Sequence, residues 1–153
     1  MRQARVREEE VRLEAEKRFK FKGTARIRLE QLCFPWNDAK DLNEKNVDRL
    51  KAIFQQDGCR RLEVQHHVPA IIDEGRLDAA ITAAGISPRT LVSPATADGY
   101  PELVFPNGHQ LECLHGRHRI QAGQQFLPPR DKWWTVDLYS TGIAQYLLSD
   151  GVC

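Results

Sequence analysis

The stretch Leu114-His115-Gly116-Arg117-His118-Arg119-Ile120 lies where a strand-like apolar run gives way to a helix-like one. Glycine at such a junction lets the backbone approach a ligand, and the N–H groups and dipole at the start of a helix attract an anion. Two arginines and a histidine add donors for charge-assisted hydrogen bonds to phosphate oxygens. The segment therefore predicts a phosphate-binding loop between a strand and a helix.

The same residues also admit a purely structural interpretation. Arg117 and Arg119 would then pair with carboxylates such as Glu112 or Asp137, and His118 would be an ordinary surface residue. The sequence leaves both interpretations open.

The pattern before this stretch predicts two strand–helix units. Alternation over Thr24–Leu32 indicates a half-buried strand, and the apolar run from His67 to Ile72 indicates a second one. Asp41 followed by Glu44 has capping-box spacing and predicts the start of a helix that ends at Gly58. A second helix is expected before Gly85 from the spacing of Leu77, Ile81 and Ala84.

The remaining segments complete the predicted order β-α-β-α-ββ-α-β. Residues 86–101 contain three prolines and predict a surface loop. Asn107-Gly108 between two apolar runs predicts a β-hairpin of residues 103–105 and 111–114. A short helix after Gly116 and a closing strand over 133–139 follow, so we expect one mixed α/β domain, an α+β fold with a mixed sheet.

Bulk properties limit the classes of function. The length of 153 residues favours one domain, and 22 basic against 21 acidic residues give no global attraction to nucleic acid. No apolar run is long enough to span a bilayer, so no membrane partner is expected. Four scattered cysteines predict reduced thiols and an intracellular protein, nuclear or cytoplasmic. We expect a charged arm or helix over 1–22, the domain over 23–140, and a short helix or truncated tail over 141–153.

Residues 116–119, followed by Ala122, resemble the second nucleotide-binding box of the ParB N-terminal domain, and they also resemble the Gly-Cys-His-Arg signature of sulfiredoxin. The resemblance covers roughly residues 25–139 and implies a ParB/sulfiredoxin-like fold. It further implies that a nucleotide (ATP or CTP), with magnesium as a candidate cofactor, or DNA is the partner. The implied ligands are Gly116, Arg117, His118 and Arg119 with His115, assisted by Lys40 from the first loop.

Two departures from these families concern Arg117. This arginine stands where sulfiredoxin has its reactive cysteine, so sulfinic-acid reduction is not expected. It also replaces the glutamate of the ParB box, so metal-assisted CTP hydrolysis is not implied. Phosphate binding carries over from the resemblance better than catalysis does.

A closer resemblance is to an uncharacterised fungal family often carried by giant mobile elements. It rests on residues 58–62, 114–119 and 133–139. Because its members are usually longer, we expect a truncated member, with a missing downstream region or a second copy of the chain as a partner. A role in DNA transactions of a mobile element follows from this resemblance alone.

Other residues enter the alternative hypotheses. The first alternative is a nucleotide-hydrolysing, phosphotransfer or nuclease enzyme on the same fold, which would need Asp38, Asp41 or Glu112 as a base or magnesium ligand. Arg60 and Arg61 are candidate nucleic-acid contacts, or they cap a helix C-terminus. A zinc site at Cys113, His115 and His118 is not predicted, because their spacing matches no recognised finger. Another alternative to the phosphate-binding module is that the chain is a truncated remnant without activity.

Overall fold

The structure is a computed structural model, and it describes Glu10, Leu13 and residues 20–35, 42–93, 99–106 and 109–141. These residues form a mixed α/β domain, which confirms the predicted fold class. The strands are β1 (Lys20–Arg28), β2 (Leu32–Cys33), β3 (Val68–Asp73), β4 (Leu111–Cys113) and β5 (Trp133–Thr141). The helices are α1 (Glu44–Asp57), α2 (Glu74–Ala84), α3 (Pro88–Val92) and α4 (Arg117–Phe126).

The five described strands form one mixed sheet in the order β1-β5-β3-β4-β2. β1 is antiparallel to β5, and β3 is antiparallel to β4. The other two neighbouring pairs, β3 with β5 and β2 with β4, are parallel. The late strand β5 therefore lies inside the sheet, between the first strand and β3.

The main core packs the sheet against α1, α2, α3 and α4, each of which contributes buried residues. Trp134 is 1% exposed, and its ring lies 5.8 Å from that of Phe54 in α1. Because strand side chains alternate, Val136 and Leu138 share its face, and both are fully buried. A smaller cluster forms separately from Ile71, Tyr139 and Leu114.

Helix α1 is capped by a different residue from the one predicted. Asn43 is its N-cap, and the side chain of Asn43 accepts hydrogen bonds from the N–H groups of Lys45 and Asn46. The expected cap at Asp41 with Glu44 as its partner is wrong, since Glu44 is the first residue of the helix and Asp41 lies outside the described residues. The predicted end at Gly58 is confirmed.

The predicted hairpin is wrong in its first strand. Within the described residues β4 pairs with β2 and β3, whereas Glu102 forms an isolated bridge with Arg26 in β1. The backbone of Phe105 is bonded instead by the side-chain amide of Gln31, whose Nε2 donates to the Phe105 carbonyl at 2.8 Å. Asn107 and Gly108 lie outside the described residues.

Two further expectations differ from the structure. The segment read as a surface loop contains the short helix α3, where Leu91 is buried against β1 at Gly23. The prediction of reduced cysteines is wrong at Cys33, which is disulfide-bonded, whereas Cys59 and Cys113 are free thiols.

In the part of the chain that the structure describes, no helix is long and apolar enough to cross a membrane.

Candidate anion-binding site

The candidate site lies at the end of the sheet where β2 and β4 finish. These neighbours are parallel, with Leu32 opposite Leu111 and Cys33 opposite Glu112, so the chain leaves both strands at the same end. The next described helix after β2 is α1, and the one after β4 is α4. Ligands of open α/β sheets commonly bind outside the carboxyl ends of such strands.

Helices α1 and α4 lie side by side and run in the same direction. Near their first residues, the Asn43 N–H donates to Nε2 of His118 at 2.9 Å. Further along, Lys51 Nζ donates to Oε1 of Gln125 at 3.0 Å. The rings of Phe54 and Phe126 lie 5.8 Å apart where both helices end. The two helix N-termini therefore meet at one place, and both present the positive end of a helix dipole there.

Gly116 is the N-cap of α4, and its conformation requires glycine. Its φ of +101° lies in the left-handed region. A Cβ at this position would come within 2.8 Å of Cγ2 of Val68, a fully buried residue at the start of β3. Both the dihedral and the close approach to β3 exclude a side chain here.

The first turn of α4 carries the three charged or polar residues of the predicted loop. Arg117, His118 and Arg119 are all partly buried. The first backbone hydrogen bond of the helix runs from the Ile120 N–H to the Gly116 carbonyl, so the preceding N–H groups point out of the helix end. This arrangement can offer backbone donors and guanidinium groups to one anion.

The other residues predicted for the site differ in placement. His115 is partly buried in the connection between β4 and α4. Glu112 pairs with Ile71, which belongs to the smaller cluster, whereas the adjacent Cys113 points into the main core. By strand alternation Glu112 therefore faces away from α1 and α4. Lys40, Asp38 and Asp41 lie outside the described residues.

Arg60 and Arg61 have different environments. The guanidinium of Arg61 lies 3.5 Å from the ring centroid of Trp133, and its Nη1 donates to the carbonyls of Asp131 and Trp133. Burial lowers the pKa of Arg61. Arg60 is exposed and pairs with Glu63 at 3.7 Å. Arg61 thus holds the start of β5, while Arg60 remains at the surface.

The two free cysteines have the properties of structural thiols. Burial raises the pKa of Cys113, whose side chain is 1% exposed. Burial also raises the pKa of Cys59 to about 11, against a smaller lowering effect of Arg61. Both thiols therefore disfavour the reactive thiolate. Across the described ranges, no group of three or more His, Cys, Asp or Glu residues could hold a metal ion.

Sequence reasoning missed Asn43 as part of the site. Asparagine is among the preferred N-cap residues, and its position directly before Glu44 was an available signal. The contact between Asn43 and His118 could not be predicted from a local sequence pattern, because the two residues are 75 positions apart. The alternative partner suggested for the arginines, Asp137, binds His67 and Thr24.

Fold and site together define a mixed α/β domain in which two helix N-termini meet beside a glycine–arginine turn. The chain belongs to the family described as "Protein of unknown function (DUF3723) N-terminal domain", whose model matches residues 20–150. No curated protein matches the chain, and no solved structure does. The family description assigns no activity.

Proposed function

We propose that this domain binds the phosphate groups of a nucleotide or nucleic acid between the N-termini of α1 and α4, as a module of the ParB-like type. The observation that carries the proposal is the hydrogen bond between Asn43 and His118, which joins the two helix starts at 2.9 Å. Gly116 lets a ligand approach the backbone beside them, and Arg117 and Arg119 supply positive charge.

Electrostatics supports an anion rather than a neutral ligand. Each helix N-terminus is equivalent to roughly half a positive charge, and two parallel helices place like charges side by side. Arg117 and Arg119 add two full positive charges within one turn. A bound phosphate would offset this positive charge and accept hydrogen bonds from the guanidinium groups and from the backbone at the start of α4.

Phosphate chemistry is shared by free nucleotides and by nucleic acid. The resemblance of residues 116–119 to the ParB box favours a nucleotide such as ATP or CTP, with magnesium as a candidate cofactor, and it suggests a setting in DNA transactions of a mobile element. A DNA backbone would use the same donors and would show a steeper loss of affinity with salt.

The proposal is tested by the thermal stability of the purified chain with ATP, CTP or GTP, each with and without magnesium, and with sulfate. A ligand that binds only the folded state raises the melting temperature. We expect a nucleotide to raise the melting temperature of the wild type and to have little effect on Arg119→Ala. A short single-stranded DNA at two salt concentrations distinguishes nucleic acid from nucleotide.

Arg89→Ala is the matched control, because it removes the same charge from an exposed position in α3, whose Leu91 contacts Gly23 in β1, the edge strand opposite to β2. This variant should respond to the ligand as the wild type does. If the ligand-induced rise in melting temperature were lost equally in both variants, net charge alone would explain the effect of Arg119→Ala. The absence of any shift with every anion would contradict the proposed function.

A further inference from the structure

The hydrogen bond between Asn43 and His118 determines which nitrogen of the imidazole carries a proton. The Asn43 N–H is the donor, so Nε2 of His118 must be the unprotonated acceptor. The ring is then the neutral tautomer with its hydrogen on Nδ1. In this state Nε2 has no hydrogen to donate to a phosphate oxygen.

The hydrogen bond from the Asn43 N–H to His118 takes the place of one of the two hydrogen bonds of a capping box. In that motif the side chain three residues into the helix accepts a hydrogen bond from the backbone N–H of the N-cap residue. In α1 that position is Asn46, and Oδ1 of Asn46 accepts from Nε and Nη2 of Arg49 at 3.1 and 2.6 Å. The acceptor for the Asn43 N–H comes instead from α4, through His118.

We infer that His118 is a positioning residue that locks the N-terminus of α1 to that of α4, with its Nε2 committed to Asn43 rather than to the phosphate. The inference rests on the proposed function, because it assigns roles within that site. Arg117 and Arg119 would supply the charge, and His118 would hold the two helix N-termini at a fixed separation. Losing this hydrogen bond should release α1 from α4 at the site.

Two substitutions separate positioning from direct binding. His118→Gln keeps an acceptor oxygen close to the place of Nε2, whereas His118→Ala removes the acceptor. The first readout is hydrogen exchange at the Asn43 amide, with β5 amides as the measure of global unfolding. The second is the dissociation constant for inorganic pyrophosphate. In the wild type, a scalar coupling between the Asn43 amide nitrogen and Nε2 of His118 would report the hydrogen bond directly.

We expect His118→Gln to keep the protection of the Asn43 amide and most of the pyrophosphate affinity. His118→Ala should lose that protection and bind about tenfold more weakly, as expected for one lost cap hydrogen bond. Equal weakening in both variants, with the Asn43 amide still protected in His118→Gln, would make His118 a direct ligand and overturn the inference.

Failure of the inference can be distinguished from failure of the proposed function. If the wild type binds no pyrophosphate, the proposed function fails, yet exchange at Asn43 still decides whether His118 joins the helices. If the Asn43 amide exchanges at the same rate in His118→Ala and wild type, relative to the β5 amides, the positioning role is refuted whatever binds.

Discussion

Nδ1 of His67 lies 2.9 Å from Oδ1 of Asp137, and both side chains are almost fully buried. Thr24 donates to the same carboxylate oxygen at 2.8 Å, and Nε2 of His67 lies 3.1 Å from the carbonyl of Leu62. The ring centroids of Tyr100 and His67 lie 5.3 Å apart in an edge-to-face arrangement. One network thus joins β1, β5 and the segment before β3.

Removing one member of this network should be costly. His67→Ala removes the imidazole that contacts the buried Asp137 carboxylate, and we expect it to lower the free energy of unfolding by about 3–5 kcal/mol. Thr24→Val keeps the side-chain shape and removes one hydrogen bond, so it should cost about 1 kcal/mol. Urea denaturation measures both. If His67→Ala lowered the free energy of unfolding by less than Thr24→Val does, the contact between His67 and Asp137 would contribute little to stability.

Gly116→Ala tests the steric basis of the site. The left-handed backbone costs alanine about 1–2 kcal/mol, and the contact with Val68 adds to that cost. Gly85→Ala is the control, because Gly85 is also left-handed, at φ +69°, and has nothing within 4 Å of its would-be Cβ. Gly116→Ala should therefore be clearly less stable than Gly85→Ala in urea denaturation.

A second background isolates the contact with Val68. When Val68→Ala is already present, the additional loss caused by Gly116→Ala should shrink toward that of Gly85→Ala. Equal losses in both backgrounds would mean that Val68 does not limit the conformation at Gly116.

Arg61 and Arg60 should behave differently on substitution. Arg61→Ala removes a cation–π contact and two hydrogen bonds to carbonyl groups, so we expect a loss of about 2 kcal/mol in unfolding free energy. Arg60→Ala removes an exposed ion pair and should stay within about 0.5 kcal/mol of the wild type. If Arg61→Ala left stability unchanged but weakened binding of single-stranded DNA, Arg61 would be a nucleic-acid contact instead.

Acid should destabilise the domain partly through His109. Burial and the neighbouring Arg76 lower the pKa of His109 in the folded state. The unfolded chain, with a histidine pKa of about 6.5, then binds more protons than the folded chain as the pH falls through that value. The contribution to stability is present above this pH and is lost below it.

In the wild type, Nη1 of Arg76 lies 3.1 Å from Nε2 of His109. The matched variant for this pH effect is His109→Gln, which keeps an acceptor for the Arg76 nitrogen but does not titrate. Between about pH 7.5 and about pH 5, the melting temperature of the wild type should fall more than that of His109→Gln. Parallel curves for the two proteins would show that His109 does not contribute to the acid sensitivity.

Local periodicity was sufficient to predict several elements. Helix α1 with its end at Gly58, helix α2 before Gly85 and strand β5 follow from residues that are neighbours on one helix or strand face. These patterns are short-range, so one segment contains all the information needed. The turn at Gly116 belongs to the same class, since glycine between a strand and a helix is a local signal.

Long-range partners could not be predicted in the same way. Leu103–Phe105 looks like a hairpin strand, but Gln31 satisfies the Phe105 backbone from 74 residues away. His67 and Asp137 are 70 residues apart, and no local pattern predicts that they pair. The contact of Asn43 with His118 is of this kind, so the sequence indicated the glycine–arginine turn but not the helix that completes the site.

Phosphate binding where α1 and α4 begin can be located residue by residue. The experiment is an NMR titration of the backbone amides with inorganic pyrophosphate, at an ionic strength matched with sodium chloride. We expect the largest shifts at the amides of Asn43, Arg117, His118 and Arg119, and we expect Arg119→Ala to reduce them strongly. Shifts centred elsewhere, or no shift beyond that produced by chloride, would contradict phosphate binding at this place.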